Sequence, residues 1–228
     1  MLPIETLDVD GAIREADEAA VGDTRAVFFR KAAVGGGAVL TSGAIMGMLP
    51  EIASAKPSKK RDTDILNFAL TLEFLEAAFY KEAISKNILT GDVLALTRLV
   101  ADHEATHVSA LKAAVKNNGG RPVPKPEFDF RDRTDDQTKF LATAYELENT
   151  GIHAYLGQAT KLKSKALLKA AASIVTIEAR HASAFAILVG DTPYDVSGNS
   201  VSPSGAFDRG FSKGKILRLL GETEFIQP

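Results

Sequence analysis

The sequence predicts an all-α protein, an antiparallel four-helix bundle, and three observations support that fold class. Four segments repeat apolar residues with the period of an amphipathic helix. Breaks rich in Gly, Pro or Asn separate these segments, and the middle break is the longest. The segments also form two pairs, because the polar motif of the first pair recurs in the second. We therefore expect two similar helical hairpins joined by a long connection.

The composition is that of an ordinary globular protein and excludes several classes of function. The 228 residues are 45% hydrophobic, which is enough for one core and some additional segments. The net charge is -2, so we expect neither nucleic acid nor an anionic membrane as a partner. The chain has no Cys, which excludes disulfides, thiolate metal sites and thiol catalysis.

A Glu-x-x-His motif occurs twice and is the strongest functional signal in the sequence. Glu104 and His107 form the first copy, and Glu178 and His181 form the second copy 74 residues later. Residues three apart lie on one face of a helix, so the carboxylate and the imidazole of each copy can bind the same metal ion. Both copies continue as Glu-Ala-x-His-x-Ser-Ala in a chain with only four His. Two matching copies are much stronger evidence than one.

The repeat extends upstream of each motif. Glu73 is followed seven residues later by Tyr80, and Glu148 is followed at the same distance by Tyr155. The repeated unit is therefore Glu-x6-Tyr, a turn, and Glu-x-x-His. Two helical hairpins that each supply one Glu and one Glu-x-x-His are typical of the interior of a di-metal carboxylate bundle.

Caps and breaks predict the bounds of the helices. Three Pro residues between positions 119 and 133 exclude a continuous helix there and mark the long connection between the hairpins. A short amphipathic helix near Lys215 to Leu220 is expected in the C-terminal tail. The four bundle helices are predicted from Asp62 or Thr63 to about Lys86, from about Asp92 to Lys116, from the capping box that begins at Thr134 to about Lys163, and from a break near Ser164 to Val189.

Helical periodicity decides which carboxylates point inward. Both Glu73 and Glu76 fall in the apolar arc of the first helix, where a carboxylate must be paired, protonated or metal-bound. Glu73 matches the repeat and is the first choice as ligand, whereas Glu76 is the reserve or an additional contact. Glu148 lies in the apolar stripe of the third helix and Glu146 lies on its solvated face. His103 is rotated by about 100° from the motif Glu that follows it, so we expect it at the rim or surface.

On these motifs the sequence resembles the ferritin-like superfamily, which includes ferritins, bacterioferritins and rubrerythrins. It is most similar to exported bacterial ferritin-like proteins related to plant desiccation-related proteins. The resemblance covers about Asp62 to Gly190, so we expect a ferritin-like bundle at 62–190 and an extension packed on it at 191–228.

Carboxylates and imidazoles without thiolates suit iron or manganese, and zinc is also compatible with them. Four ionised Glu side chains would balance the charge of two divalent ions in a low-dielectric interior. The resemblance implies roles for six residues: Glu104 and Glu178 bridge the two ions, Glu73 and Glu148 are terminal ligands, and His107 and His181 bind one ion each. Tyr80 and Tyr155 lie two turns further along the same helical stripes, where they can hydrogen-bond the terminal carboxylates or pass an electron.

Two functions stay open at this stage. The first is a di-metal centre that reacts with dioxygen or peroxide, as ferroxidases, peroxidases or catalases do, in stress protection. The second is a metal-holding or structural bundle of the cell envelope without turnover, as the likeness to desiccation-related proteins suggests. The absence of Cys excludes a rubrerythrin with its own rubredoxin-type domain. The N- and C-terminal segments would obstruct assembly into a ferritin cage. The sequence does not specify the oligomer, and a homodimer stays open.

Residues 1–55 resemble an export signal. A basic stretch precedes an apolar, Gly-rich run at 32–49, and Ala53-Ser54-Ala55 is a small-x-small cleavage pattern. The basic stretch is similar to a twin-arginine signal, with Ala26 in place of the second Arg. We expect cleavage near Lys56, a periplasmic or extracellular location and no membrane span afterwards. An uncleaved anchor and a buried hairpin of the mature domain are the alternatives.

Overall fold

The computed structural model describes residues 58–190 and 208–227, and in these residues the protein is all-α, as predicted. An isolated bridge between Phe128 and Ile226 is the only β-type pairing within the described ranges. The predicted signal at 1–55 lies outside them. The helices are α1 (Lys59–Ser85), α2 (Gly91–Asn117), α3 (Gln137–Ala159), α4 (Lys165–Leu188) and α5 (Lys213–Thr223).

Helices α1 to α4 form a bundle of two antiparallel hairpins. The most extensive contacts are those of α1 with α2 and of α3 with α4. Between the hairpins, Tyr80 on α1 contacts Glu148 on α3, and the earlier Glu73 contacts the later Tyr155. This reversed order means that α1 and α3 are antiparallel. The repeated units therefore face each other across an approximate twofold axis.

The connection from α2 to α3 returns along the length of the bundle. Because α1 is antiparallel to both α2 and α3, these two helices run in the same direction, and residues 118–136 must cross from one end to the other. Asn67 on α1 holds this segment, since its side chain donates to the carbonyl of Arg121 at 3.1 Å and accepts from the amide of Val123 at 3.0 Å. The predicted long crossover is therefore present.

Helix α1 begins earlier than predicted, because a different residue caps it. Ser58 is the N-cap, and its hydroxyl accepts a hydrogen bond from the amide of Arg61 at 3.2 Å. Asp62, one of the two predicted caps, is fully buried. Its carboxylate accepts from the amides of Lys163 at 2.8 Å and Ser164 at 3.1 Å, and so ties the turn between α3 and α4 to α1.

Helix α3 is shorter than predicted at both ends. Its N-cap is Asp136, and Thr134, where the capping box was expected to begin, instead donates its hydroxyl to Glu82 on α1 at 2.5 Å. The helix ends at Ala159 rather than near Lys163. The amides of Lys163 and Ser164 bond Asp62, so they are not available to continue a helical ladder.

Two apolar clusters fill the bundle, one on each side of its polar interior. The first contains Tyr80 and the aromatic residues Phe79, Phe130, Phe140 and Phe185. The second contains Tyr155 and the aliphatic residues Leu66, Leu70, Leu111, Val115 and Ile174. Because the two Tyr hydroxyls contact carboxylates, the clusters meet at a group of polar side chains.

The segment 208–227 completes the first cluster. Ile216 and Leu220 on α5, which is longer than the predicted short helix, are buried in it together with Phe225. The amide of Phe211 donates to the carbonyl of His153 at 2.8 Å. Gly157 allows this approach, because a Cβ atom built there would lie 1.8 Å from the carbonyl oxygen of Phe211.

Among the described helices, α4 alone is long and apolar enough to cross a membrane by length and composition. In the bundle its buried positions include Ile174, Glu178, His181 and Phe185. The helix therefore contributes two polar side chains to the interior that the hairpins enclose.

Candidate metal centre

The six polar residues of the repeat come together inside the bundle. They form two groups of four, and in each group one oxygen or nitrogen atom from every residue lies within 4.8 Å of the others. All six residues are buried. The first group is Glu73, Glu104, His107 and Glu178, and the second is Glu104, Glu148, Glu178 and His181.

Glu104 and Glu178 belong to both groups and contact both imidazoles. One oxygen of Glu104 lies 3.1 Å from Nδ1 of His107, and its other oxygen lies 3.1 Å from Nδ1 of His181. The corresponding distances from the oxygens of Glu178 are 3.0 and 3.5 Å. Each of these carboxylates therefore directs one oxygen toward each half of the site, which is the geometry of a bridging ligand.

Each remaining carboxylate serves one half of the site. Glu73 lies 3.2 Å from Nδ1 of His107, and Glu148 lies 3.2 Å from Nδ1 of His181. The other oxygen of each accepts a hydrogen bond from a Tyr of the opposite hairpin, Tyr155 for Glu73 and Tyr80 for Glu148. The tyrosines therefore orient the carboxylates across the bundle.

The carboxylates of the centre divide into two electrostatic classes. Burial raises the pKa of Glu73 and of Glu148 well above the usual range, and their hydrogen bonds to His107 and His181 only partly offset it. For Glu104 burial also opposes ionisation, but the close approach of both imidazoles outweighs it and lowers the pKa to about 2. The pKa of Glu178 is lowered for the same reasons.

The imidazoles hold protons tightly in the absence of metal. Burial alone would lower the pKa of His107, but its carboxylate contacts raise it to about 12. The same balance raises the pKa of His181 to about 11. Two imidazolium charges thus stand in for part of the positive charge that the carboxylate cluster requires.

The hydrogen bonding of the shared carboxylates is incomplete. Within the described residues, Oε1 of Glu104 and both oxygens of Glu178 are buried without a hydrogen-bond partner. The 3.0 Å approach of His107 to Glu178 brings charges together but lacks hydrogen-bond geometry. Buried carboxylate oxygens are rarely left in this state. Two divalent cations would bind them and balance four Glu charges with neutral imidazoles, so the residues present fit a di-metal centre.

Glu76 is a fifth buried Glu among the described residues, but it belongs to neither group of four. Burial, and then the charge of Glu178, raise its pKa well above the usual range. Gly151 occupies the matching position of the repeat, and a Cβ atom there would lie 3.2 Å from Oε1 of Glu76. The glycine on α3 leaves the space that the Glu76 side chain requires. Glu146, in contrast, is exposed.

His103 contacts the centre, which the sequence interpretation did not foresee. It is half-buried, its ring stacks on that of His181 at 5.2 Å, and its Nδ1 lies 2.9 Å from Nε2 of His181. Its position one residue before Glu104 gave no indication of this contact. The one signal in the sequence is that His is rare, because the chain contains only four.

An apolar cavity of about 60 Å³ reaches Tyr155 from the second cluster. Leu66, Leu111 and Ile174 are among the residues around it. Gln158 is its other polar neighbour, and Nε2 of this side chain has no hydrogen-bond partner within residues 58–190 and 208–227. A void of this character favours a small apolar molecule over water, which needs several polar contacts.

Together, fold and centre define a class of protein: all-helical bundles with buried carboxylates and imidazoles arranged for two metal ions. The sequence model of the ferritin-like domain matches residues 61–191, more than half of the chain. The protein therefore belongs to the ferritin-like domain family.

Two further comparisons bear on the chain. It is similar in fold to the crystal structure of a conserved hypothetical protein, rv2844, from Mycobacterium tuberculosis, with 15% sequence identity and a TM-score of 0.54. The similarity covers 61% of this chain and 98% of that chain. The search of curated proteins finds no match. At this identity the crystal structure supports the fold alone.

Proposed function

We propose that the protein is a di-metal carboxylate protein that binds two iron or manganese ions and reacts with dioxygen or peroxide. Zinc is also compatible with the donor set. The observation that carries this proposal is the pair of four-residue groups that share Glu104 and Glu178. In the proposal these two residues bridge the ions, Glu73 and Glu148 are terminal ligands, and each of His107 and His181 binds one ion through Nδ1.

The protein side chains would hold the centre and control protons around it. When bound, two Fe(II) or Mn(II) ions would supply the electrons for the reduction of dioxygen or peroxide. Burial raises the pKa of Tyr80 and Tyr155 well above the usual range, so both hydroxyls stay protonated and donate to the terminal carboxylates. The surrounding apolar clusters limit the access of water to the centre.

The apolar cavity beside Tyr155 favours dioxygen over peroxide as the oxidant. Dioxygen is small and apolar, whereas hydrogen peroxide would lose its hydrogen bonds to water in a cavity with few polar neighbours. We therefore place Fe(II) oxidation by dioxygen ahead of a catalase-like reaction.

Metal holding without turnover is the second candidate function. The chain has no Cys, so it lacks the thiolate-bound electron carrier that a self-contained peroxidase of the rubrerythrin type uses. In this alternative the bundle binds its ions as a stress-protective or structural protein of the cell envelope. Such a protein would bind two ions but would not oxidise Fe(II) faster than the buffer does.

Metal analysis followed by an oxidation assay tests the proposal. The metal-free protein is loaded with Fe(II) or Mn(II) without oxygen, and bound metal is counted before dioxygen or peroxide is added. We expect about two ions per chain and Fe(II) oxidation that exceeds the buffer rate. Glu178→Gln is the control, because it removes one shared carboxylate. Fewer than one ion per chain in the wild type would overturn the proposal.

We also propose export, with a periplasmic or extracellular location and a kinship to desiccation-related proteins. The support is the order of basic stretch, apolar run and Ala53-Ser54-Ala55 in residues 1–55. Mass spectrometry of the protein from expressing cells should give an N-terminus near Lys56. An intact N-terminus in the cytoplasmic fraction would contradict export.

A further inference from the structure

The contact between His103 and His181 makes the two halves of the centre unequal. His103 lies on α2, and its Nδ1 is 2.9 Å from Nε2 of His181 on α4. The two rings are nearly parallel, with 18° between their planes. The matching position of the repeat is Ile177, whose side chain cannot accept a hydrogen bond. The two hairpins therefore differ at this position, and the contact breaks the approximate twofold symmetry of the bundle.

The direction of this hydrogen bond follows from what surrounds His181. Its Nδ1 faces the oxygens of Glu104 and Glu148, at 3.1 and 3.2 Å, which is the side where a metal would bind. Its Nε2 therefore carries the hydrogen and donates it to Nδ1 of His103. This arrangement is the same whether Nδ1 of His181 carries a proton or a metal ion.

In the part of the chain that the structure describes, His107 has no equivalent support. Its Nδ1 faces three carboxylates, as that of His181 does. Among the described residues, however, none hydrogen-bonds its Nε2, and its side chain is 11% exposed, against 5% for His181. Its partial exposure makes solvent available to that nitrogen, and solvent does not fix the orientation of the ring.

We infer that His103 is a positioning residue, which holds the His181 ring and makes the ion bound by His181 the more tightly held of the two. The inference rests on the proposed function. A partner for the outward N–H of a metal-binding imidazole fixes the ring and its tautomer and raises the basicity of the coordinating nitrogen. The expected result is two unequal sites, with the stronger one in the half that contains Glu148 and His181.

Stepwise Mn(II) binding to the metal-free full chain tests the inference by calorimetry. His103→Phe keeps a stacking ring but removes the acceptor, and His103→Ser gives a second variant, whose hydroxyl oxygen is attached to Cβ, one bond short of the place of Nδ1. His103→Asn restores an acceptor oxygen near the place of Nδ1. His153→Phe is the matched control, because His153 is also half-buried and stacked, on Phe211 at 4.2 Å, away from the centre.

We expect the wild type and His153→Phe to bind two ions with a strong and a weak step. His103→Phe and His103→Ser should lose about 10- to 100-fold in affinity at the strong step, and His103→Asn should recover most of it. Unchanged binding by His103→Phe and His103→Ser, with two ions bound by the wild type, would overturn this inference alone. A wild type that binds no ion would overturn the proposed function and the inference with it.

Proton NMR of the Co(II)-loaded protein provides a readout that a change of packing would not imitate. The N–H protons of the two coordinating imidazoles are shifted far from other signals by the paramagnetic ions. One of them should exchange slowly with water in the wild type, because the N–H of His181 is bonded to His103. That signal should exchange faster in His103→Phe and slowly again in His103→Asn. Equal exchange of both signals in the wild type would contradict the inference.

Discussion

At the scale of single residues, Glu104 is the side chain whose loss should affect the whole centre. Its two oxygens lie 3.1 Å from Nδ1 of His107 and from Nδ1 of His181, so we expect Glu104→Gln to weaken both halves. We predict less than one bound ion per chain after Mn(II) loading, measured by elemental analysis. Glu146→Gln, at an exposed position of α3, should leave two ions bound. Loss of only one ion in Glu104→Gln would show that the carboxylate does not bridge.

Glu73 and Glu76 provide a second test on α1. Glu73 belongs to a group of four potential ligands and Glu76 does not. We predict that Glu73→Gln loses about one ion per chain and that Glu76→Gln retains two. Because the raised pKa of Glu76 favours its neutral form, an amide there should change the melting temperature little. An equal loss of metal in both variants would mean that Glu76 also binds.

The repeat predicted which residues meet, because a spacing of three or seven along a helix determines which side chains share a face. It did not predict the contact of His103 with His181, 78 positions away. That contact depends on how far α2 and α4 are rotated about their own axes. Helical periodicity places His103 outside the apolar stripe, and it does not distinguish a residue at the rim of the centre from one on the surface.

At the scale of elements, the approach of segment 208–227 to α3 depends on Gly157. A Cβ atom there would lie 1.8 Å from the carbonyl oxygen of Phe211, so Gly157→Ala forces the segment away. We predict a loss of about 1–3 kcal/mol in the free energy of unfolding, measured in urea. Gly221→Ala is the control, because a Cβ atom there meets nothing within 4 Å. It should be neutral or stabilising, and a similar loss in both variants would contradict the packing argument.

The sequence predicted that each helix exists, but the residues at which α1 begins and α3 ends depend on tertiary contacts. Asp62 is a good capping residue by type, yet its carboxylate bonds the amides of Lys163 and Ser164. One contact thus displaced two predicted bounds, the start of α1 and the end of α3. A bond between residues about 100 positions apart leaves no local signal in either segment.

At the scale of the whole molecule, protons and metal compete for the same interior. Without metal, the pKa values of His107 and His181 are raised to about 12 and 11, and those of Glu73 and Glu148 are also raised. The unfolded-state pKa is 6.5 for His and 4.5 for Glu. A group whose pKa is raised by folding stabilises the protein fully below its unfolded pKa, and this stabilisation is lost as the pH rises toward its folded pKa. The lowered pKa of Glu104, about 2, acts in the opposite direction only below 4.5.

We therefore predict opposite effects of pH on the two forms between pH 5 and 8. The melting temperature of the metal-free protein should fall as the pH rises, while the increase caused by Mn(II) should grow, because ion binding displaces protons. With free metal at 100 times the dissociation constant of one site, binding at that site adds about 2.7 kcal/mol. Thermal unfolding with Mn(II) and with chelator measures both trends. Equal melting temperatures at pH 8 would contradict a working centre.

The position of Ile216, Leu220 and Phe225 in the first apolar cluster has a consequence for synthesis on the ribosome. All four bundle helices leave the exit tunnel before these residues do. Part of the aromatic core of the nascent bundle is therefore uncovered during that interval. The crossover is also released before its bridge partner Ile226. Final folding must therefore follow translation of the last segment. Until then the uncovered aromatic surface makes the partly folded chain prone to aggregation.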